Sequence, residues 1–567
     1  MNNFFFIASL VCCVLIGLST ACEVKQDKLQ NAEKSITEED LEKHVRALAS
    51  DAFEGRKPFT EGEKKTIAYI REAFESMGLP GGYRGEYFQD VPLVEVTIKP
   101  SEDIRIDTEE GPLHFRYPDE VIASTQRIAE KIEIKDSELV FAGYGIVAPE
   151  YGWNDYEGLD AEGKTVVVMV NDPGFASQDS RLFKGNAMTY YGRWTYKYEE
   201  AARQGALGVM VVHETGAAGY PWSVLQNSAG SELYLQAEDH YMSRCALQGW
   251  ITREAAKTLF AKAGKDFDSL AASASRPGFA SVPLGATISL TMENTLKRNV
   301  SRNVLALCPG SDRADECIVY TAHWDHLGIG PEIRGDSIYN GCADNACAVA
   351  WLLEIAEAFS QLQERPSRSV LFIAPTAEES GLLGSAYYAA HPVFPMAKTV
   401  AVMNTDILPL NGPMKDVTIT GYGQSELDDY VETAAREQGR YVMPDPEAHN
   451  GMYYRSDHFS FARLGVPALF AKGCNDHAEH GKAWARQKMK EYWENHYHRP
   501  SDEFDPESAD LRGLLLDTKL FFNIGLQLSM EETFPAWKEG SEFKAVREKN
   551  IKRDVGGKFS PCEGRAR

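Results

Sequence analysis

Ile318-Val319-Tyr320-Thr321-Ala322-His323-Trp324-Asp325 runs from apolar and β-branched residues straight into an imidazole and a carboxylate. Ile, Val, Tyr and Thr in succession read as a short strand. The design recurs down the chain. A strand over 369–374 is followed by Glu378-Glu379, and one over 400–404 by Asp406. Further strands read over 304–307 and 468–471, and helices over 346–359, 384–390, 425–438 and 511–528. Alternation of this kind predicts an α/β fold, a mixed central β-sheet flanked by helices. Such sheets bind ligands beyond the carboxyl ends of their strands.

His323, Asp344, Glu379, Asp406 and His498 are of the kinds zinc prefers, each placed at a strand tip or in the loop after one. Two imidazoles and three carboxylates suit a pair of adjacent divalent ions. One carboxylate is shared, and each ion keeps one His and one further carboxylate. Glu378, directly before Glu379, is left to move a proton, and the set reads as metal-assisted hydrolysis. Singly the signals are weak. Asp344 opens a helix and alone would be an N-cap. A Glu-Glu pair is usually solvated surface, and only the apolar strand before it lifts this one. His326 competes with His323 for the ligand role. Asp325 can accept the second ring N–H of His323.

A chain of 567 residues exceeds one ordinary core, so two or more domains are expected. Apolar content of 43% and charged content of 25% are globular values. The net charge of -24 argues against nucleic acid as partner. Residues 4–18 form an apolar run too short for a stable membrane span, ending in Leu18-Ser19-Thr20-Ala21-Cys22. This resembles a bacterial lipoprotein signal that leaves Cys22 lipidated, although no Lys or Arg precedes the run and Ser19 stands where Leu is usual. A plain secretory signal is the alternative. Either takes the chain out of the cytoplasm, to a bacterial periplasm or cell envelope. The polar stretch 23–37 suits a tether.

Cys308 and Cys317 flank the turn Pro309-Gly310-Ser311-Asp312, and cross-strand pairing is expected in an oxidising compartment. Cys342 and Cys347 flank Asp344, as small buried residues or as a disulfide bracing the loop. Thr37 before Glu38-Glu39-Asp40 is a helix-start signal, and Ile67, Ile70, Phe74 and Met77 recur at helical spacing until Gly78. Residues 138–290 carry short strands over 139–142, 165–170 and 208–212, a helix over 198–205, and many Gly and aromatic residues. They read as a separate β-rich insertion.

The motifs T-A-H-W-D-H-L-G from Thr321, Y-N-G-C-A-D-N-A from Tyr339, T-A-E-E-S-G-L-L-G-S from Thr376, M-N-T-D-I from Met403 and Y-H-R-P-S-D from Tyr497 together resemble the M28 family of co-catalytic zinc peptidases. F-A-G-Y-G-I from Phe141 and K-Y-E-E-A-A-R-Q-G-A from Lys197 resemble the protease-associated domain inserted in its large form. The resemblance covers nearly all of residues 38–535. It implies two zinc ions, one held by His323 and Asp406, the other by Glu379 and His498, with Asp344 bridging. Glu378 would be the general base and Asp325 the orienter of His323. The Asp344–Asn345 peptide would be cis. Y-R-S-D-H-F-S-F from Tyr454 would line the substrate side, while Tyr191 and Trp194 are open to two readings, substrate contact or packing. The implied domains are a signal at 1–22, a tether at 23–37, peptidase segments at 38–137 and 291–535, the insertion at 138–290, and a loose charged tail at 536–567. The implied activity is an aminopeptidase acting on peptides. A glutamate-releasing carboxypeptidase shares the same core and needs basic residues for a terminal carboxylate, for which Arg193, Arg455 and Arg463 are candidates. A glutaminyl-cyclase-like transferase and a non-catalytic receptor are more distant alternatives.

Overall fold

The computed structural model describes residues 31–101 and 103–555, which pack as two units. The first holds Arg302–Asp445 together with the chain up to Val91 and from Ser456 onward. Its strands are β1 (Val282–Cys308, of which 304–308 pair here), β2 (Arg313–Thr321), β3 (Arg368–Ala374), β4 (Thr399–Asn404), β5 (Asp416–Thr420), β6 (Tyr441–Pro444) and β7 (Ala468–Lys472). They lie in the order β6-β5-β7-β4-β2-β3-β1. The central four, β7, β4, β2 and β3, are parallel, while β1 and β5 join antiparallel, so the sheet is mixed as expected. The short strands β5 and β6 and the helix Gly481–Asn495 were not legible in the sequence.

Burial on both faces explains the unbroken apolar runs of β2, β3 and β4. Ile318, Tyr320, Val370, Phe372, Ala401 and Met403 share a core with the helices Cys347–Ser360 and Arg512–Met530. The helix His458–Ala462 packs on β4 and β7. Because the central strands are parallel, Thr321, Ala374, Asn404 and Lys472 end at one common edge.

The second unit comprises Pro92–Ser301 and Pro446–Arg455, wider than the expected insertion at 138–290. The reason is strand pairing. Val121–Ser124 pairs with Leu247–Thr252, Asp103–Thr108 with β1 residues 286–289, and the strand Phe88–Pro100 with Ser231–Leu235. Much of 92–137 therefore belongs to this unit and not to the peptidase segment. Its centre is a run of parallel strands, Lys131–Phe141, Thr165–Met169, Gly208–His213 and Leu247–Thr252, accompanied by helices such as Trp194–Arg203 and Arg253–Lys262.

Other expectations are corrected. Cys308 and Cys317 do not form a hairpin pair; both are free. Cys308 faces Val370 and Cys317 faces Ser369, so β3 lies between them. Two strand spacings of about 4.8 Å each exceed the reach of a disulfide. Cys342 and Cys347 are free and buried, the first of the two readings given for them. The tether ends sooner than expected: residues 31–35 are helical, and Ala32 and Ile36 enter the core. The tail is anchored as far as it is described, since Trp537 donates to the Gly465 carbonyl and Arg547 to those of Met396 and Thr399. The signal at 1–22, Cys22 included, lies outside the described residues, and among those described no helix is long and apolar enough to cross a membrane.

The helix Glu38–Leu48 begins as the sequence indicates, with Thr37 Oγ1 accepting from the Asp40 N–H. Its His44 lies 3.6 Å from the fully buried Glu354. Burial first, then Glu357 and Asp40, push the Glu354 carboxyl up to about 8, and burial brings His44 down to about 4. The folded chain thus keeps a proton on Glu354 that the unfolded chain releases above about 4.5. This contribution to stability is full below that value and is lost as pH rises through about 8. His44 works in the opposite sense, losing stability as pH falls from 6.5 toward about 4. Thermal unfolding should therefore shift down by about 2 °C between pH 6.5 and pH 8, the window these pKa values set. Glu354→Gln should flatten that alkaline decline, and an unchanged slope in the variant would refute the assignment.

Candidate active site

The sheet's common edge brings the expected side chains together. His323 follows β2 by two residues, Glu378 and Glu379 follow β3, and Asp406 follows β4. Asp344 comes instead from the turn before helix Cys347–Ser360, and His498 from the loop after helix Gly481–Asn495, so neither sits just beyond a central strand.

Their atoms form two groups that share Asp344. His323 Nε2 lies 3.4 Å from Asp344 Oδ1 and 3.4 Å from Asp406 Oδ1. His498 Nε2 lies 3.3 Å from Asp344 Oδ2 and 3.0 Å from Glu379 Oε2. These separations match the spacing, about 3.3 Å, between ligand atoms of a tetrahedral ion with bonds of about 2.0–2.1 Å. His323 Nε2, His498 Nε2 and Asp406 Oδ1 are buried and make no hydrogen bond, which is the condition expected of donor atoms aimed at a cation. His323, Asp344 and Asp406 can hold a metal ion together. The donor set therefore fits zinc. Glu378 stands beside the first group, its Oε2 3.8 Å from His323 Nε2.

The electrostatics follow from crowding acids in a dry space. Burial acts to raise the Asp344 carboxyl, but His323 and His498 outweigh it and hold it well below the usual range. Burial and Asp344 act to raise Glu379, yet His498 and His326 bring it down to about 2. Burial opposes charge on the His498 ring, but Glu379 and Asp344 lift it to about 10. Burial likewise opposes charge on His323, which Glu378, Asp406 and Asp344 raise well above the ordinary value. Glu378 goes the other way: burial, reinforced by Asp406, Glu379 and Asp457 and opposed by His323, pushes it well up.

The supporting groups were less legible. Asp325 was expected to accept from the His323 ring, but the Asp325 main-chain carbonyl lies 3.1 Å from Nδ1 while the carboxylate is at 3.7 Å. Its oxygens are occupied by the backbone N–H groups of Glu378 at 3.0 Å and Glu379 at 3.4 Å. Asp325 thus braces the turn that presents the glutamate pair. His326 is 2.6 Å from Glu379 Oε1 and orients that carboxylate. Asp502 accepts from the N–H groups of Ala343 and Asp344, fixing the turn around the cis Asp344–Asn345 bond. Arg56 is wholly buried and donates to the carbonyls of Leu48, Trp324, Asn340 and Gly341, tying the His323 loop to the Asp344 loop. No local pattern flags Arg56, because its partners are main-chain atoms far along the sequence. Tyr191 and Trp194 pack within the second unit, on Tyr196 and Phe183 and on Tyr198 and Trp250 respectively.

Imidazoles and carboxylates gathered at the carboxyl edge of an α/β sheet make this a metal site of the hydrolase type. Residues 303–518 match the family described as Peptidase family M28. Aminopeptidase NAALADL1 of Mus musculus is 28% identical over 169 residues, 28% of this chain and 21% of that protein. Leupeptin-inactivating enzyme 1 of Streptomyces exfoliatus is 28% identical over 166 residues, 29% of this chain and 34% of its own length. The chain thus spans about a fifth to a third of the curated relatives it matches. Among solved structures, the aminopeptidase from Aneurinibacillus sp. strain AM-1 is 21% identical, with 89% of this chain and 97% of that one covered at a TM-score of 0.47.

Arg56→Met should keep every metal-type ligand yet lose the tie between their loops. Zinc affinity, read by competition with a chelating dye, should fall by about tenfold or more, as for other supports of metal ligands. Thermal unfolding should drop as well, since Arg56 satisfies four buried carbonyls. Unchanged affinity would show that the loops hold themselves.

Proposed function

We propose that this protein is a zinc-dependent exopeptidase, an aminopeptidase that removes N-terminal residues from peptides. The observation that carries this reading is the Asp344 carboxylate, which turns one oxygen to His323, itself beside Asp406, and the other to His498, itself beside Glu379. Two ions would be held there, one by His323 and Asp406, one by Glu379 and His498, with Asp344 between. When bound, zinc supplies a Lewis acid for the scissile carbonyl and lowers the pKa of water. The chain's own part is to orient and to move protons. Glu378 would take the proton of the attacking water and return it to the leaving amine, a task suited to a carboxyl raised by burial. Asp325 holds Glu378 in place through its backbone N–H. His326 and Asp502 keep Glu379 and Asp344 aimed.

The matched relative from Mus musculus is an aminopeptidase by name, which supports the choice of the N-terminal end. The second unit is proposed to be a protease-associated domain, on the motifs from Phe141 and Lys197. The chain is proposed to be exported to the bacterial periplasm or envelope through its N-terminal apolar run, with a lipid on Cys22.

Matched peptides with free and acetylated N-termini distinguish the ends. Only the free forms should be trimmed, and from the N-terminus. Glu378→Ala should lower kcat by about 10²- to 10⁴-fold while the protein still binds two zinc ions per chain by elemental analysis. C-terminal trimming of acetylated peptides would replace this reading with a carboxypeptidase. A variant that stays active would remove Glu378 from the proton step.

A further inference from the structure

Asp406 is held from behind by a lysine that bonds to its main chain. β4 and β7 run parallel with Asn404 opposite Phe470, so Lys472, the last residue of β7, comes level with Asp406. Lys472 Nζ donates to the Asp406 carbonyl at 2.6 Å and to the Ile407 carbonyl at 2.7 Å. Those carbonyls need such a donor. Asp406 and Ile407 are buried, and both lie past Asn404, where the pairing of β4 ends. Ile407 adopts φ +53°, a region that β-branched residues avoid, so the chain turns out of the sheet at this point. On the other side of the turn the Leu408 N–H donates to the Ala343 carbonyl at 3.0 Å, and Ala343 directly precedes Asp344. The turn 406–408 therefore joins the loops of two candidate ligands, with Lys472 gripping its first half.

Lys472 is itself fixed in place. Its backbone pairs with Thr418 of β5, and its ammonium lies 5.7 Å from the centroid of the Phe470 ring. Buried carbonyls left without donors are costly, and an ammonium brings three N–H groups on a stem long enough to reach both. The choice of acceptor matters for a metal. An ammonium bonded to the Asp406 carboxylate would compete with a cation for its oxygens. Bonded to the carbonyls, it adds positive charge beside a crowd of acids and leaves Asp406 Oδ1 free of hydrogen bonds.

We infer that Lys472 is a positioning residue for the Asp406 metal ligand, fixing the 406–408 turn through two main-chain carbonyls while the carboxylate stays open to the ion. The inference rests on the zinc reading of this site and adds to it the residue that aims one of the ligands.

The test reads zinc directly on the full chain, by competition with a chelating dye. Lys472→Met keeps the apolar stem and removes the donors. It should weaken the site of His323 and Asp406 by about tenfold or more, the scale for supports of metal ligands, and the site of Glu379 and His498 by less. Asp406→Asn and His498→Asn, each removing one ligand, show which of the two affinities belongs to which site. Lys472→Arg, which restores charge and donors, should recover most of the loss. Unchanged zinc affinity with a lower unfolding temperature would mean that Lys472 only braces the sheet, and overturns the inference. Equal weakening of both sites, or a loss that Lys472→Arg leaves uncorrected, overturns it too. If Lys472→Met fails to fold by circular dichroism, Lys472→Gln is read in its place. Because zinc is read without turnover, a chain that holds two ions in this way yet trims no peptide would sink the exopeptidase reading and leave the role of Lys472 standing.

Discussion

Negative charge is concentrated in a dry space at the edge of the first unit's sheet, and the surrounding loops are organised by the need to hold it there. Asp325, Asp344, Glu378, Asp406, Asp457 and Asp502 are all buried, with Arg56 the guanidinium among them. Burying an ionised carboxylate costs several kcal/mol unless hydrogen bonds and opposite charge offset it. The fold supplies backbone N–H groups to Asp325 and Asp502, and imidazoles to Asp344 and Glu379. Asp457 is left with both oxygens lacking a hydrogen bond. A site so short of positive charge suits a cation, and the orphaned imidazole nitrogens point into it.

This constraint explains which features were readable along the chain. His323, Glu379 and Asp406 announced themselves because each ends an apolar run, and parallel strands bring such ends to one edge. The short strands β5 and β6 did not, since each is a few residues long and neither carries one of these side chains. His498 was found through its motif, not through periodicity, because it follows a helix of mixed polarity.

The supports were harder to read for a different reason. A ligand is recognised by its own chemistry, whereas a support is recognised by what it touches. Asp502 and Arg56 act on main-chain atoms that lie 158 and 284 residues away in sequence. Spacing cannot reveal such contacts. The same applies to the second unit, whose boundaries are set by the pairing of Val121–Ser124 and Phe88–Pro100 with strands more than a hundred residues later. Asp325 lies beside His323 as its spacing suggests, with its carboxylate 3.7 Å from Nδ1, but it also serves a second partner that spacing does not reveal. Two residues after His323 it is near the ring, yet two backbone N–H groups of the β3 turn meet its oxygens first.

Lys197 and Arg193 show why the buried cations of the second unit differ in meaning. Lys197 is fully buried, and its amino group reaches the Asn171 carbonyl at 2.9 Å with Asp172 and Asp155 close by. Burial pulls it down to about 7 while the two carboxylates resist, so the charge is balanced inside the fold. For Arg193, burial and then Arg455 bring it down to about 9, while Tyr220, Tyr190 and Tyr454 resist. A guanidinium at that value stays charged at neutral pH, so the cost is not escaped by losing a proton. A lysine in its place could shed the proton and rest neutral among the tyrosines.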